Sequence, residues 1–240
     1  IPNETIFRLY GPDFNSLEVE CSAPVMESDF DPDPQNFNYA EWLSSTWTDD
    51  GVTIHGLVHS EWHAYDFDGE CASSDIMKCW YNGITYVQSV DSGKTFTHTA
   101  SPDHLVMSVP YTYDAAYQSR QGAFGPSNIV KHPTDGYYYC LFYTEENVNG
   151  STDYLQGGGT CVMRTTDLSD PESWRAYDGA TYSTTSVNPY TDDFVTDDHL
   201  LHNVMMGKQM ASLSFNTYFD MWMLVGPSYK FSPEEDRYVN

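Results

Sequence analysis

Positive charge is scarce in this chain: ten Lys and Arg stand against 35 Asp and Glu, a formal net charge of −25. A field of that sign repels phosphate backbones and anionic headgroups, so nucleic acid and membrane surfaces are excluded as partners. No apolar run approaches the roughly 20 residues that cross a bilayer, and membrane insertion is not expected. No long stretch carries the apolar period of an amphipathic helix, and Leu and Ala are few. The glycine patterns of nucleotide sites are missing: Gly157 to Gly159 precedes no Lys-Ser pair, and no G-x-S-x-G elbow occurs. Cys21, Cys71, Cys79, Cys140 and Cys161 lack the C-x-x-C spacing of a zinc site.

What is abundant is strand and turn material: 19 Tyr, 12 Phe and 6 Trp, with many Thr, Ser, Gly and Asp. Period-2 or short apolar runs bounded by turn residues recur in TWTDDGVTIHGLVHSEW, GITYVQSVDSGKTF, SNIVKHPTDGYYYCLFYTE, TCVMRTTDL and MASLSFNTYFDMWMLVG. Turns at Asp49-Asp50-Gly51, Thr134-Asp135-Gly136 and Phe219-Asp220 make hairpins of three of them. The one helical candidate is a short turn from Pro171 to Trp174 after Asp170. Residues 1–240 are read as a single all-β domain.

Cys71 and Cys79 flank the short polar segment ASSDIMK, a loop that a disulfide closes readily. Cys140 and Cys161 are either cross-strand neighbours or two buried thiols, and Cys21 is left over. A disulfide, an acidic surface and glycosylation sequons at Asn3 and Asn149 favour an extracellular protein, secreted or at the cell surface. The start at Ile1 without Met is read as a removed signal peptide or a trimmed segment.

The segment SVDSGKTF, Ser89 to Phe96, fits the pattern S-x-D-x-G-x-T-[WF]. In it Asp91 is placed to accept turn amides, Gly93 to supply positive φ, and Phe96 to pack back between strands. It resembles the Asp-box hairpin of a sialidase-type blade. With GPSNIVKHPTDGYYY, RTTDLSDPESWRAYDG and SLSFNTYFDMWMLVG, it is similar to blades of secreted propellers in the glycoside hydrolase and sialidase superfamily. The resemblance, spread over about residues 40 to 226, implies a β-propeller. At 40 to 50 residues per blade the length suits five blades, with the last incomplete after GPSYKFSPEEDRYVN. A β-sandwich is the alternative. The single Asp-box, and the need to bring three of only five arginines into one cleft, argue against sialidase chemistry itself.

The densest chemistry sits in IHGLVHSEWH. On a strand His55, Leu57, His59, Glu61 and His63 share one face. One reading makes Glu61 a general acid or base held by His59 and His63; another makes the three a metal site; a third makes them polar residues bonded to backbone. Glycoside hydrolysis needs a second carboxylate, for which Glu145, Asp114 and Glu41 are candidates. Glu61, Glu145 and His59 are thus the catalytic candidates. His63, Asn128, Arg164, Arg120 and Trp62 are the substrate-binding candidates, with Trp42, Trp80 and Tyr111 as further stacking surfaces. No cofactor is required. Calcium is the one metal the carboxylates suit, above all in NPYTDDFVTDDHLLH, where a solvated acidic loop is the simpler reading. The expected function is a secreted, glycoside hydrolase-like protein acting on an extracellular polysaccharide or glycoconjugate. The rivals are a non-catalytic glycan-binding or extracellular assembly module and a polysaccharide lyase.

Overall fold

The computed structural model describes residues 5–99, 103–116, 120–145, 157–192, 204–206 and 211–226, with the backbone of 230–231 and 238–239. The protein is all-β. Its principal sheet has eleven strands. Along the main path these are Tyr182–Thr184, Arg175–Tyr177, Gly159–Thr165, Tyr138–Thr144, Gln121–Phe124, Trp80–Ser89, Ile54–His63 and Ala40–Trp47. Val130–Lys131 pairs with Tyr138–Thr144, while Thr97–His98 and Leu105–Met107 pair with Trp80–Ser89. Among the described residues the path stays open at both ends and closes into no ring.

Two antiparallel systems meet at Gln121–Phe124. This strand runs parallel to Trp80–Ser89, with Gly122 opposite Asn82, and antiparallel to Tyr138–Thr144. Gly122 has φ +110°, and a Cβ there would lie 2.1 Å from the carbonyl oxygen of Asn82. Only glycine permits this backbone approach.

The strands follow the aromatic and β-branched runs because alternate side chains bury on both faces. Leu57, Ile84, Tyr86, Met107, Cys140, Phe142, Cys161, Met163 and Trp174 form the main core between the two systems. The other face of the Ile54–His63 region is covered separately, by Phe37, Trp62, Tyr81, Leu105 and Val109 and by Met26, Val58 and Val87. A separate hairpin, Ser212–Asn216 with Met221–Val225, turns at Thr217 to Asp220.

The turn chemistry is explicit at Ser89 to Phe96. Asp91 Oδ1 accepts from the amides of Lys94 and Thr95, both at 3.0 Å, and from the Ser89 hydroxyl at 2.8 Å. These bonds hold its carboxyl far below the usual range, the Thr95 amide contributing most. Gly93 has φ +78°, and Phe96 packs against Met26, Val58 and Val87. Asp50 and Asp178 build the same device, each taking two amides on one oxygen. Pro171–Ser173 is a 3-10 turn, capped by Asp170 through the Glu172 amide at 3.0 Å.

Cys71 and Cys79 are disulfide-bonded, as their spacing predicts. Cys140 and Cys161 are buried free thiols on adjacent strands, paired in register with Met163 and Phe142 rather than with each other. Burial pushes both up to about 12, so they are inert as nucleophiles at neutral pH. Cys21 is exposed and free. Asn3, Asn149 and the segment 193–202 lie outside the described residues. No helix among the described residues is long and apolar enough to cross a membrane.

Candidate functional site

The Ile54–His63 strand is flanked by Ala40–Trp47 and Trp80–Ser89, so its alternating residues acquire neighbours in cross-strand rows. Glu61 sits between Ala40 and Asn82, His59 between Trp42 and Ile84, and His63 opposite Trp80. Because cross-strand partners share a face, Glu61, His59, His63, Trp42, Trp80 and Asn82 come together on one side of the sheet.

Glu61 is the centre of this group and is 8% exposed. Its Oε2 lies 2.9 Å from His63 Nε2, and its Oε1 lies 3.4 Å from His59 Nε2. His63 Nδ1 meets the Tyr65 hydroxyl at 3.0 Å, and the Tyr65 ring stacks on the imidazole at 5.1 Å. Trp42 lies 5.8 Å from His59 and 6.3 Å from His63, while Trp80 lies 5.6 Å from His63. Burial lowers His59 below the ordinary imidazole range despite the attraction of Glu61, with Arg120 adding to the decrease. His59 is therefore neutral at pH 7 and can donate or accept one hydrogen bond.

The second carboxylate arrives from the parallel joint. Glu145, at the end of the Tyr138–Thr144 strand, pairs with Arg120, whose guanidinium lies 5.3 Å from the Phe124 ring and 5.9 Å from the Trp80 ring. Phe124 in turn lies 6.0 Å from His59. Two carboxylates, two imidazoles and one guanidinium thus border the same aromatic-walled region.

One buried polar atom of this region, Trp80 Nε1, has no hydrogen-bond partner, whereas the His59 imidazole is engaged by the Asn82 side chain and by Glu61 at 3.4 Å. Asn82 is anchored at its other end, where Nδ2 donates to the Gln121 carbonyl at 2.9 Å. Buried polar groups are normally paired, and each unpaired one costs about 1–3 kcal/mol.

Other candidates fall elsewhere. Trp62 points to the opposite face, where it stacks on Phe67 at 5.3 Å and borders a cavity of about 470 Å³ with Tyr113 and Tyr190. The alternation that gathers Glu61 and His63 necessarily turns Trp62 away. Tyr111 packs in the same opposite-face core. Asn128 commits both ends of its amide to Leu213, donating to its carbonyl at 2.8 Å and accepting from its amide at 2.9 Å. It is a clasp for the Ser212–Asn216 strand, not an open sugar ligand. Arg164 alternates away from Met163 in the main core, and stacks between Tyr137 and Tyr182 on the outer side. Glu41 also faces away from Glu61 and lies 2.6 Å from His98. Asp114 accepts the Ala116 amide at 2.8 Å in its own loop.

A metal reading finds no support. Among the described residues no group of three or more His, Cys, Asp and Glu side chains could hold a metal ion. Both Nε2 atoms are directed to the Glu61 oxygens rather than to a common centre.

The grouping of Glu61 with its histidines follows from strand alternation. Trp80, a stacking candidate by its residue type, lands beside His63, whereas the placement of Asn82 has no sequence signal beyond membership of a neighbouring strand. Comparison with known protein families, curated proteins and solved structures finds no match for the chain.

Proposed function

We propose that the chain is a carbohydrate-active β-propeller of the glycoside hydrolase-like type, acting outside the cell on a polysaccharide or glycoconjugate. The observation that carries this reading is the Glu61 carboxylate held between His59 and His63 and walled by Trp42 and Trp80, whose buried indole N–H has no partner. A hydroxyl-rich ligand can accept from that indole N–H and bond the carboxylate, and the faces of Trp42 and Trp80 suit the apolar side of a pyranose ring. The resemblance of SVDSGKTF to an Asp-box and the carboxylate-clasped turns support the propeller, and the disulfide supports an extracellular setting.

In hydrolysis, Glu61 acts as general acid or base and Glu145 is the second carboxylate. Water adds across the glycosidic bond: a proton goes to the departing sugar oxygen and a hydroxyl to the anomeric carbon. Neutral His59 orients Glu61 and bonds a sugar hydroxyl, His63 holds the other carboxylate oxygen, and Arg120 positions Glu145. The direct test is release of reducing ends from a panel of neutral and acidic polysaccharides, with ligand-observed NMR on the same panel. Turnover on one of them supports hydrolysis. Neither turnover nor binding on any of them contradicts the reading.

A non-catalytic glycan-binding module is the second reading. It is favoured by the way both carboxylates are already engaged, Glu61 by two imidazoles and Glu145 by Arg120. Saturable binding without release of reducing ends selects it.

A further inference from the structure

Carboxylates outnumber cationic side chains by 35 to 10, so an ion pair is the ordinary fate of an arginine in this protein. Of the four described arginines, Arg8 pairs with Glu20 and Arg120 with Glu145. Arg164 and Arg175 form no ion pair with any described carboxylate. They are instead directly opposite each other in the register of Gly159–Thr165 and Arg175–Tyr177. Like charges at that position repel, since Cβ atoms of cross-strand partners lie only about 5 Å apart.

Arg164 and Arg175 both line one cavity of about 420 Å³. Arg164 is fixed there by its flat faces, with ring centroids at 3.9 Å for Tyr137 and 4.0 Å for Tyr182. Its Nη1 donates to the Tyr139 hydroxyl at 3.2 Å, which itself donates to Asp135 at 2.7 Å. Arg175 is fixed by Nη1, which donates to the carbonyls of Glu172 at 2.5 Å and Trp174 at 2.7 Å. Stacking and carbonyl bonds, rather than a direct ion pair, hold the two forks. Their remaining N–H groups have no acceptor among the described residues. Two acidic residues, Asp170 and Glu172, also border the cavity; the Asp170 carboxylate closes the neighbouring turn through the Glu172 amide, and Glu172 forms no ion pair with either arginine.

We propose that Arg164 and Arg175 form a binding site for an oxyanion, a sulfate or carboxylate group carried by a ligand. Two preorganised forks meet the in-plane, multi-oxygen acceptor geometry of such groups, and the bound charge cancels the cross-strand repulsion. The site is distinct from the Glu61 region, because Arg164 lies on the outer face of a sheet whose inner face, through Cys161 and Met163, packs into the main core. It does not depend on the hydrolase reading.

Calorimetric titration tests the site, with sodium sulfate, sodium acetate, a sulfated oligosaccharide and a uronic acid oligosaccharide, all at one ionic strength balanced with chloride. Wild type should bind at least one of these saturably. Arg164→Gln and Arg175→Gln should each weaken that binding at least tenfold, and Arg175→Lys should retain part of it. Tighter binding of an oligosaccharide than of the inorganic ion identifies a glycan as the source, and equal binding identifies the free anion; both support the site. Binding of inorganic sulfate or acetate that is weakened by either Gln variant separates this site from the hydrolase reading, because these ions offer the Glu61 region no sugar ring. Should Arg164→Gln fail to fold, Arg175→Gln carries the comparison. Absence of saturable binding by all four ligands, or affinity unchanged in the Gln variants, overturns the proposal.

Discussion

His98 and Glu41 are an ion pair inside the sheet, with the Glu41 side chain fully buried and the ring of His104 only 4.7 Å from that of His98. Burial pulls the His98 imidazole down, but the adjacent Glu41 carboxylate outweighs it and holds the imidazole above its ordinary range. A folded value above the unfolded one of about 6.5 means stability that is fully present below about pH 6.5 and lost as pH rises through the folded value. His98→Gln strands Glu41 without its partner, a loss of about 3 kcal/mol for a buried pair. Urea denaturation of both proteins between about pH 6 and pH 9 checks this: the gap between wild type and variant should narrow as pH rises. A gap that is constant or widens with pH contradicts the assignment. Glu41 is also a lesson in legibility. Its neighbour Trp42 made it a plausible partner for Glu61, yet the period of two places it on the opposite face.

At the scale of elements, strand positions and turns were readable where they depend on local chemistry. The Asp-centred turns, the hairpin through Phe219 and Asp220, the Asp170-capped turn and the Cys71–Cys79 bridge are all decided by residues close in sequence. What brings Arg120 and Glu145 to the Glu61 face is different in kind. It depends on the parallel pairing of Gln121–Phe124 with Trp80–Ser89, a contact about 40 residues apart in the chain that periodicity does not encode. Arg175 was missed for the same reason, since only register reveals that it faces Arg164.

Gly122→Ala tests the joint. Its added Cβ would meet Asn82 backbone, which cannot yield as a side-chain tip can, and φ +110° adds strain. We expect a loss of more than about 2 kcal/mol in denaturant unfolding, and loss of any ligand binding that depends on Asn82. A fully stable Gly122→Ala variant contradicts the joint. The disulfide closes a short loop, with a sequence separation of 8. Its removal in a Cys71→Ser, Cys79→Ser double variant should cost about 2–3 kcal/mol by chain entropy, measured in the same way; an unchanged midpoint contradicts it.

At the scale of the whole molecule, two sheet systems join around a shared core and carry two chemically distinct regions. One is the Glu61 region on the inner face; the other is the Arg164 and Arg175 cavity on the outer face. A net charge of −25 keeps the surface hydrated and rejects polyanions at long range, so any anionic ligand must be captured by a local arrangement of cations. The candidate site follows the same logic in reverse. Glu61 is held by His59 and His63, and Glu145 by Arg120, so each carboxylate has its own local partner within an acidic protein.

The central claim is that Glu61 performs proton transfer in glycoside hydrolysis, and Glu61→Gln is nearly isosteric with the native side chain. The measurement is the rate of reducing-end release by wild type and Glu61→Gln on a polysaccharide that the wild type cleaves, with circular dichroism confirming an unchanged fold. The account predicts a fall in kcat of at least about 100-fold with glycan affinity preserved. Equal turnover by the two proteins would contradict it.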